Sequence, residues 1–136
     1  MLCFSAVVPV LRVGDIARSV SWYTTILGFT SEALPDAAMD DRVLLRRDHT
    51  ELVLRRAAAP AAGRVPRSGE WDLLIRLSGD ALVALLDAAR RQTPLVRGPE
   101  LMSNGEVHFE LEDPDGHRVC VSEVVSDTRG IPRAVG

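Results

Sequence analysis

The chain has 136 residues, 46% hydrophobic and 26% charged, enough to bury a core as one compact domain or two small fused modules without a disulfide or a metal. Its formal net charge of -3 offers no electrostatic basis for binding nucleic acid or an anionic membrane surface. All 16 basic residues are arginine, which excludes a Schiff-base lysine, a P-loop lysine and a lysine general base.

In chain order, residues 6–13 (AVVPVLRV) read as a buried strand. Asp15 then stands where a helix N-cap belongs. Ile16, Val20, Tyr23 and Leu27 follow at helical spacing, and Gly28 supplies the stop. Phe29 to Leu34 reads as a strand ended by Pro35-Asp36, Arg42 to Arg47 as a second, and Glu51 to Arg56 as a third, with the polar turn Asp48-His49-Thr50 between the last two. The stretch 57–69, rich in proline, glycine and alanine, reads as a linker. Trp71 to Leu77 alternates like a strand, and Asp80 to Gln92 is an amphipathic helix carrying Leu82, Leu85, Leu86 and Ala89. Residues 93–105 have room for one irregular strand around Leu95 and Val96. Val107 to Leu111 and Arg118 to Val121 form a hairpin across Asp113-Pro-Asp-Gly116. The helix starts at Asp15 and Asp80, and the runs LVL (52–54) and VCV (119–121), recur at nearly the same interval, which points to a structural duplication.

Cys3 and Cys120 lie far apart with no CxxC pair, the pattern of free thiols in a reducing compartment. The opening Met-Leu-Cys-Phe-Ser has no basic segment and its apolar run stops at Arg12, too short for a membrane span. The expectation is a soluble cytoplasmic protein.

Two motifs then carry a family likeness. Arg12-Val-Gly-Asp15 with Ser19, Trp22-Tyr23 and Leu27-Gly28-Phe29 resembles the first strand and helix of the vicinal oxygen chelate superfamily. That superfamily includes glyoxalase I, bleomycin and fosfomycin resistance proteins and extradiol dioxygenases. Glu112-Asp-Pro-Asp-Gly116 before a β-rich run resembles its last hairpin. The likeness covers about residues 6–124. It implies an α+β fold of two βαβββ modules whose curled mixed sheets surround a cavity, with helices on the outer faces. The modules would span 1–56 and 70–125, joined by the linker 57–69 and followed by a tail, 126–136. The resemblance also implies a homodimer, consistent with the open sheet edges that a single chain leaves. Trp22 and Tyr23 are expected in core or interface packing, and Asp115-Gly116 serves turn geometry.

Metal-dependent relatives hold a divalent ion with His, Glu or Gln on cavity-facing strands. Carried onto this chain, those positions are Val8, Val53, Asp72 and Cys120. Two valines ligate nothing, and a carboxylate with a thiol is a mismatched pair of donors. No metal or other cofactor is therefore expected. Strand alternation supplies the cavity lining: if Leu73, Ile75 and Leu77 face a helix, Asp72, Leu74 and Arg76 face away from it. The same parity selects Glu51, Val53 and Arg55, then His108 and Glu110, then Arg118, Cys120 and Ser122. The candidate ligand-binding residues are thus Glu51, Arg55, Asp72, Arg76, His108, Glu110, Arg118 and Cys120. His108, Glu110 and Asp72 have an alternative reading as a displaced metal site. Cys120 reads either as a small buried hydrophobe or as a thiol activated by Arg76 or Arg118. His49 and His117 read as surface residues.

The resemblance implies a protein of the bleomycin-resistance-like branch, holding a small organic molecule or antibiotic non-covalently without metal. The alternative is a lyase, isomerase or dioxygenase, either metal-dependent or using His108 and Glu110 as acid and base. Alternation itself is open to a mutational check. Leu73→Ala is expected to lower the unfolding free energy by about 2–5 kcal/mol, whereas Arg76→Ala leaves the denaturation midpoint nearly unchanged. The reverse pattern in urea melts means a one-residue slip of register.

Overall fold

The computed structural model describes residues 1–32, 41–57 and 70–135. Apart from Ala57, the expected linker 57–69 lies outside the described residues, as do Leu34 and the Pro35-Asp36 strand end. The chain divides into two compact units, Met1–Gly63 and Arg64–Gly136.

The first unit runs β1 (Val10–Val13), α1 (Ile16–Leu27), β2 (Thr30–Glu32), β3 (Arg42–Arg47) and β4 (Thr50–Arg56), in the sheet order β1-β4-β3-β2. β1 and β4 are parallel and the other pairs antiparallel. The second unit repeats the plan with β5 (Leu73–Arg76), α2 (Leu82–Arg90), β6 (Arg97–Leu101), β7 (Val107–Glu112) and β8 (Arg118–Glu123), in the order β5-β8-β7-β6. The result is an α+β fold of two four-stranded mixed sheets with a helix in each unit. Among the described residues, no helix is long and apolar enough to cross a membrane.

In the first unit the α1 signals act as the sequence suggests. The Asp15 carboxylate accepts from the Arg18 N–H at 3.1 Å, and Gly28 closes the helix in the left-handed region (φ 72°). Arg47 reaches back from β3 to donate to the Leu27 carbonyl, placing a cation at the negative end of α1. Leu11, Val13, Leu45, Leu52 and Leu54 are buried, as are Tyr23, Ile26, Leu27 and Phe29. The first strand is shorter than expected. It begins at Val10, and Ala6–Pro9 stay outside the ladder. Pro9 lends its carbonyl to the Val53 N–H but has no N–H of its own to extend the pairing.

Further boundaries shift in the second unit, where β5 is Leu73–Arg76 and α2 ends at Arg90. Leu82, not Asp80, opens α2. Asp80 has φ 59°, and the Ala81 cap has no side-chain acceptor. The cap comes instead from Glu123 at the end of β8. Its carboxylate, on a residue only 6% exposed, accepts from the N–H groups of Asp80, Ala81 and Leu82 at 2.7–2.8 Å. The irregular strand expected around Leu95 and Val96 is β6, Arg97–Leu101. Its pairing to β7 skips between Arg97 and Glu100, where Pro99 offers no N–H. Gly98 (φ 85°) lies so close to β7 that a Cβ would sit 2.5 Å from the His108 carbonyl oxygen, so only glycine fits there. β7 and β8 run on to Glu112 and Glu123. In their turn, Asp113 accepts from the N–H groups of Asp115 and His117, each at 2.9 Å. Beyond β8, Leu101 on β6 bonds to Pro132 and Ala134 of the C-terminal tail, covering that sheet edge.

Glu123→Ala strips the acceptor from three helix-start donors at once. An expected loss of about 2–4 kcal/mol, above the usual single-cap value, is measurable by urea denaturation. An unchanged midpoint would show that water caps α2 equally well.

Candidate functional site

Alternation divides the second sheet into two faces. Val119, Val121 and Glu123 lie beside Leu73 and Ile75 on one side and Phe109 and Leu111 on the other, and this face meets α2. The opposite face carries Cys120, with Leu74 and Glu110 as its register partners, and Ser122, with Arg76 and His108. Over that face lies a cavity of about 210 Å3 lined by Trp71, Arg97, Glu100, Met102, His108, Phe109, Glu110 and Cys120.

Its polar groups are mostly committed to one another. Arg97 grips Glu100 through two bonds, Nε to Oε1 at 2.9 Å and Nη2 to Oε2 at 3.1 Å, a pairing that raises the guanidinium pKa further. His108 Nε2 bonds the Glu106 carboxylate at 3.0 Å. This bond, aided by the charge of Arg76 3.5 Å away, holds the Glu106 carboxyl below the usual carboxylate range. With Glu106 ionised, Nε2 carries the hydrogen. In the neutral ring that leaves Nδ1 to accept from the Cys120 thiol, 3.7 Å away. Burial first, and then the Glu110 and Glu106 carboxylates, push the Cys120 thiol up to about 12. Trp71 meets the His108 ring edge-on, with centroids 5.8 Å apart.

Of the residues proposed from sequence, His108, Glu110 and Cys120 line this cavity. Asp72 precedes β5 and points elsewhere: its carboxylate accepts the Arg118 N–H at 2.8 Å and lies 3.9 Å from His117 Nδ1. Arg76 shares the face, but its side chain is 69% exposed and leans on Glu106. Arg118 pairs in register with Glu112 at the hairpin end of the ladder. Glu51 and Arg55 belong to the first unit, where Glu51 contacts Arg46 at 3.4 Å and Arg55 lies 4.0 Å from Asp41. Reasoning by parity missed Trp71, Arg97, Glu100, Met102 and Glu106. Trp71 and Glu106 lie just outside strands, where alternation does not apply. Arg97 and Glu100 flank the skip at Pro99, which breaks alternation within β6.

The positions that hold a divalent ion in metal-dependent relatives supply a poor donor set. Val8 and Val53 are aliphatic, Asp72 is taken up by the β8 backbone, and Cys120 is held protonated. Among the described residues, no group of three or more His, Cys, Asp or Glu side chains is arranged to hold a metal ion.

Paired βαβββ units of matching strand order define a recognisable class of small α+β proteins. The sequence pattern of the Glyoxalase/Bleomycin resistance protein/Dioxygenase superfamily matches residues 6–121, and the chain belongs to that superfamily. No curated protein matches it. Among solved structures, it is similar to a protein from the mobile metagenome of V. pseudocholerae, with 25% identity, a TM-score of 0.67 and coverage of 90% of this chain and 97% of that one. A glyoxalase/bleomycin resistance protein/dioxygenase from Alicyclobacillus acidocaldarius shares the fold at 18% identity and TM-score 0.71, covering 90% and 92% of the two chains. Another of that description, from Nocardioides, aligns at 18% identity and TM-score 0.65, covering 100% and 93%.

The two cysteines should separate cleanly. At pH 8 a thiol reagent is expected to titrate the exposed Cys3 in the folded protein and Cys120 only after unfolding. Because folding raises the Cys120 pKa from 9.0 to about 12, its contribution to stability is complete below pH 9 and is lost as pH rises toward 12. Cys120→Ala should flatten that alkaline slope in urea melts. Rapid labelling of both thiols in the native state would contradict this.

Proposed function

We propose that the protein binds a small organic molecule non-covalently in the cavity of the second unit, without a metal ion, in the manner of a sequestering member of its superfamily. The observation that carries this reading is the state of the cavity's reactive groups. His108 has both ring nitrogens engaged by Glu106 and Cys120, and Arg97 is chelated by Glu100. A general base needs a free acceptor within reach of its substrate; with the ring hydrogen on Nε2 toward Glu106, the acceptor of this imidazole faces the Cys120 thiol. The space beside Trp71 and Met102 remains for a ligand body. The acid–base enzyme built on His108 and Glu110 is the second reading, and the engagement of His108 speaks against it.

We also propose that the functional unit is a homodimer. Val10 and Leu74 are exposed on the sheet faces turned away from the helices, apolar surface of the kind that interfaces cover. Light scattering at tens of micromolar should give twice the chain mass.

The binding reading predicts saturable stabilisation by single-ring organic compounds, seen as a rise in Tm and a change in Trp71 emission that a Trp71→Phe variant lacks. Dialysis against a chelator should alter neither. Binding or turnover that appears only after adding Zn, Ni, Fe or Mn would move the protein to the metalloenzyme class.

A further inference from the structure

Among the described residues lining the cavity, Glu110 is a carboxylate that no side chain bonds directly; Arg97 meets its charge only at longer range. It sits mid-strand in β7, in register with Arg97 on one side and Cys120 on the other, and is only 6% exposed. Its backbone is satisfied, since its carbonyl accepts the Val96 N–H at 2.9 Å. Its carboxylate, by contrast, makes no hydrogen bond or ion pair with any described residue. Arg97, whose charge acts on Glu110 through space, is turned onto Glu100. His108, two residues away on the same face, is turned onto Glu106, and Arg76 leans on Glu106 as well. Its oxygens are not among the sealed polar atoms that lack a partner, so they open onto the cavity, where water or a ligand donor meets them.

We propose that this cavity takes a small ligand bearing a protonated nitrogen, an ammonium or amidinium on a single-ring body, with Glu110 as its counter-ion. This ligand class presupposes the cavity-binding function proposed above. Three features agree on it. A protonated nitrogen supplies the hydrogen-bond donors that Glu110 lacks, and an opposite charge closer than that of Arg97. An anion would meet Glu110 directly and would have to pull Arg97 out of its two-bond grip on Glu100 to find a partner. A neutral apolar ligand would exclude water from Glu110 and give nothing back. The space of about 210 Å3 is below that of pockets for drug-sized molecules and suits one ring with a short substituent. Trp71 adds an indole, the aromatic side chain that attracts organic cations most strongly.

Three probes of one shape test the sign: benzylammonium, benzyl alcohol and benzoate, titrated into the full chain at pH 7 and followed by calorimetry and by the carbon-13 signal of the Glu110 carboxyl. Benzylammonium is expected to bind about tenfold more tightly than benzyl alcohol, as one charge-assisted hydrogen bond would give, with benzoate weakest. The Glu110 carboxyl signal should move with benzylammonium and stay in place with benzyl alcohol. Glu110→Gln should remove the tenfold advantage and leave benzyl alcohol within about twofold of wild type. If the variant does not fold, the wild-type ranking and the carboxyl signal decide alone. Benzoate binding as tightly as benzylammonium, or an unmoved Glu110 signal at saturation, would overturn the proposed sign while leaving cavity binding in place. Failure of all three probes to bind would overturn both.

Discussion

The register of β8 is the constraint on which the second unit depends, and it is held by a carboxylate at each end. At the start, the Asp72 backbone donates to the Arg118 carbonyl while the Asp72 carboxylate accepts the Arg118 N–H. At the finish, Glu123 gathers the first N–H groups of α2. Glu123 has the parity of Val119 and Val121, so the bond that caps the helix also commits those valines to the helix face. Cys120 and Ser122 are thereby turned to the opposite face, beside Glu110 and His108. A slip by one residue would lose both anchors and reverse the faces together. A buried carboxylate is expensive unless it is well bonded, and three backbone donors at a helix N-terminus are a setting in which it is stabilised.

The cavity's chemistry follows from where that register leaves its charges. Arg97 and Glu100 meet across the irregularity at Pro99, and Glu106 reaches His108 from the loop before β7. Both pairings tie up groups that in another arrangement would bind or transfer protons. The same pairings leave the Glu110 carboxylate without a hydrogen bond from any described residue. A site of this kind is suited to recognition by charge and shape. Cys120, protonated and enclosed, acts as part of the wall.

The duplicated units share strand order but not surface chemistry. The position of Cys120 in β8 corresponds to Val53 in β4, and Val53 is flanked in register by Val10 and Leu44. One step along, Arg12, Arg55 and Arg42 align across three strands, and the Asp41 carboxylate lies 4.0 Å from the last two. The first sheet therefore carries an aliphatic row beside an arginine row where the second carries its acid, imidazole and thiol. Hydrogen bonding between strands tolerates this divergence because it uses only the backbone.

Much of the fold was legible in the sequence. The N-cap at Asp15, the stop at Gly28, the Asp113–Gly116 turn and the alternation through LLIR, VHFEL and RVCVS are local signals, and local sterics and hydrogen bonding decide them. The repeat of the two runs LVL and VCV carried the duplication. Other features depended on residues far apart in the chain. Nothing near Asp80 announces that α2 is capped from Glu123, and nothing around Pro99 states which carboxylate Arg97 will hold. Alternation by itself determined that His108, Glu110 and Cys120 share a face. Only the tertiary structure decided that His108 is engaged and Glu110 is not, because the pairing of charges depends on distances between side chains from different elements, and periodicity along one strand does not encode them.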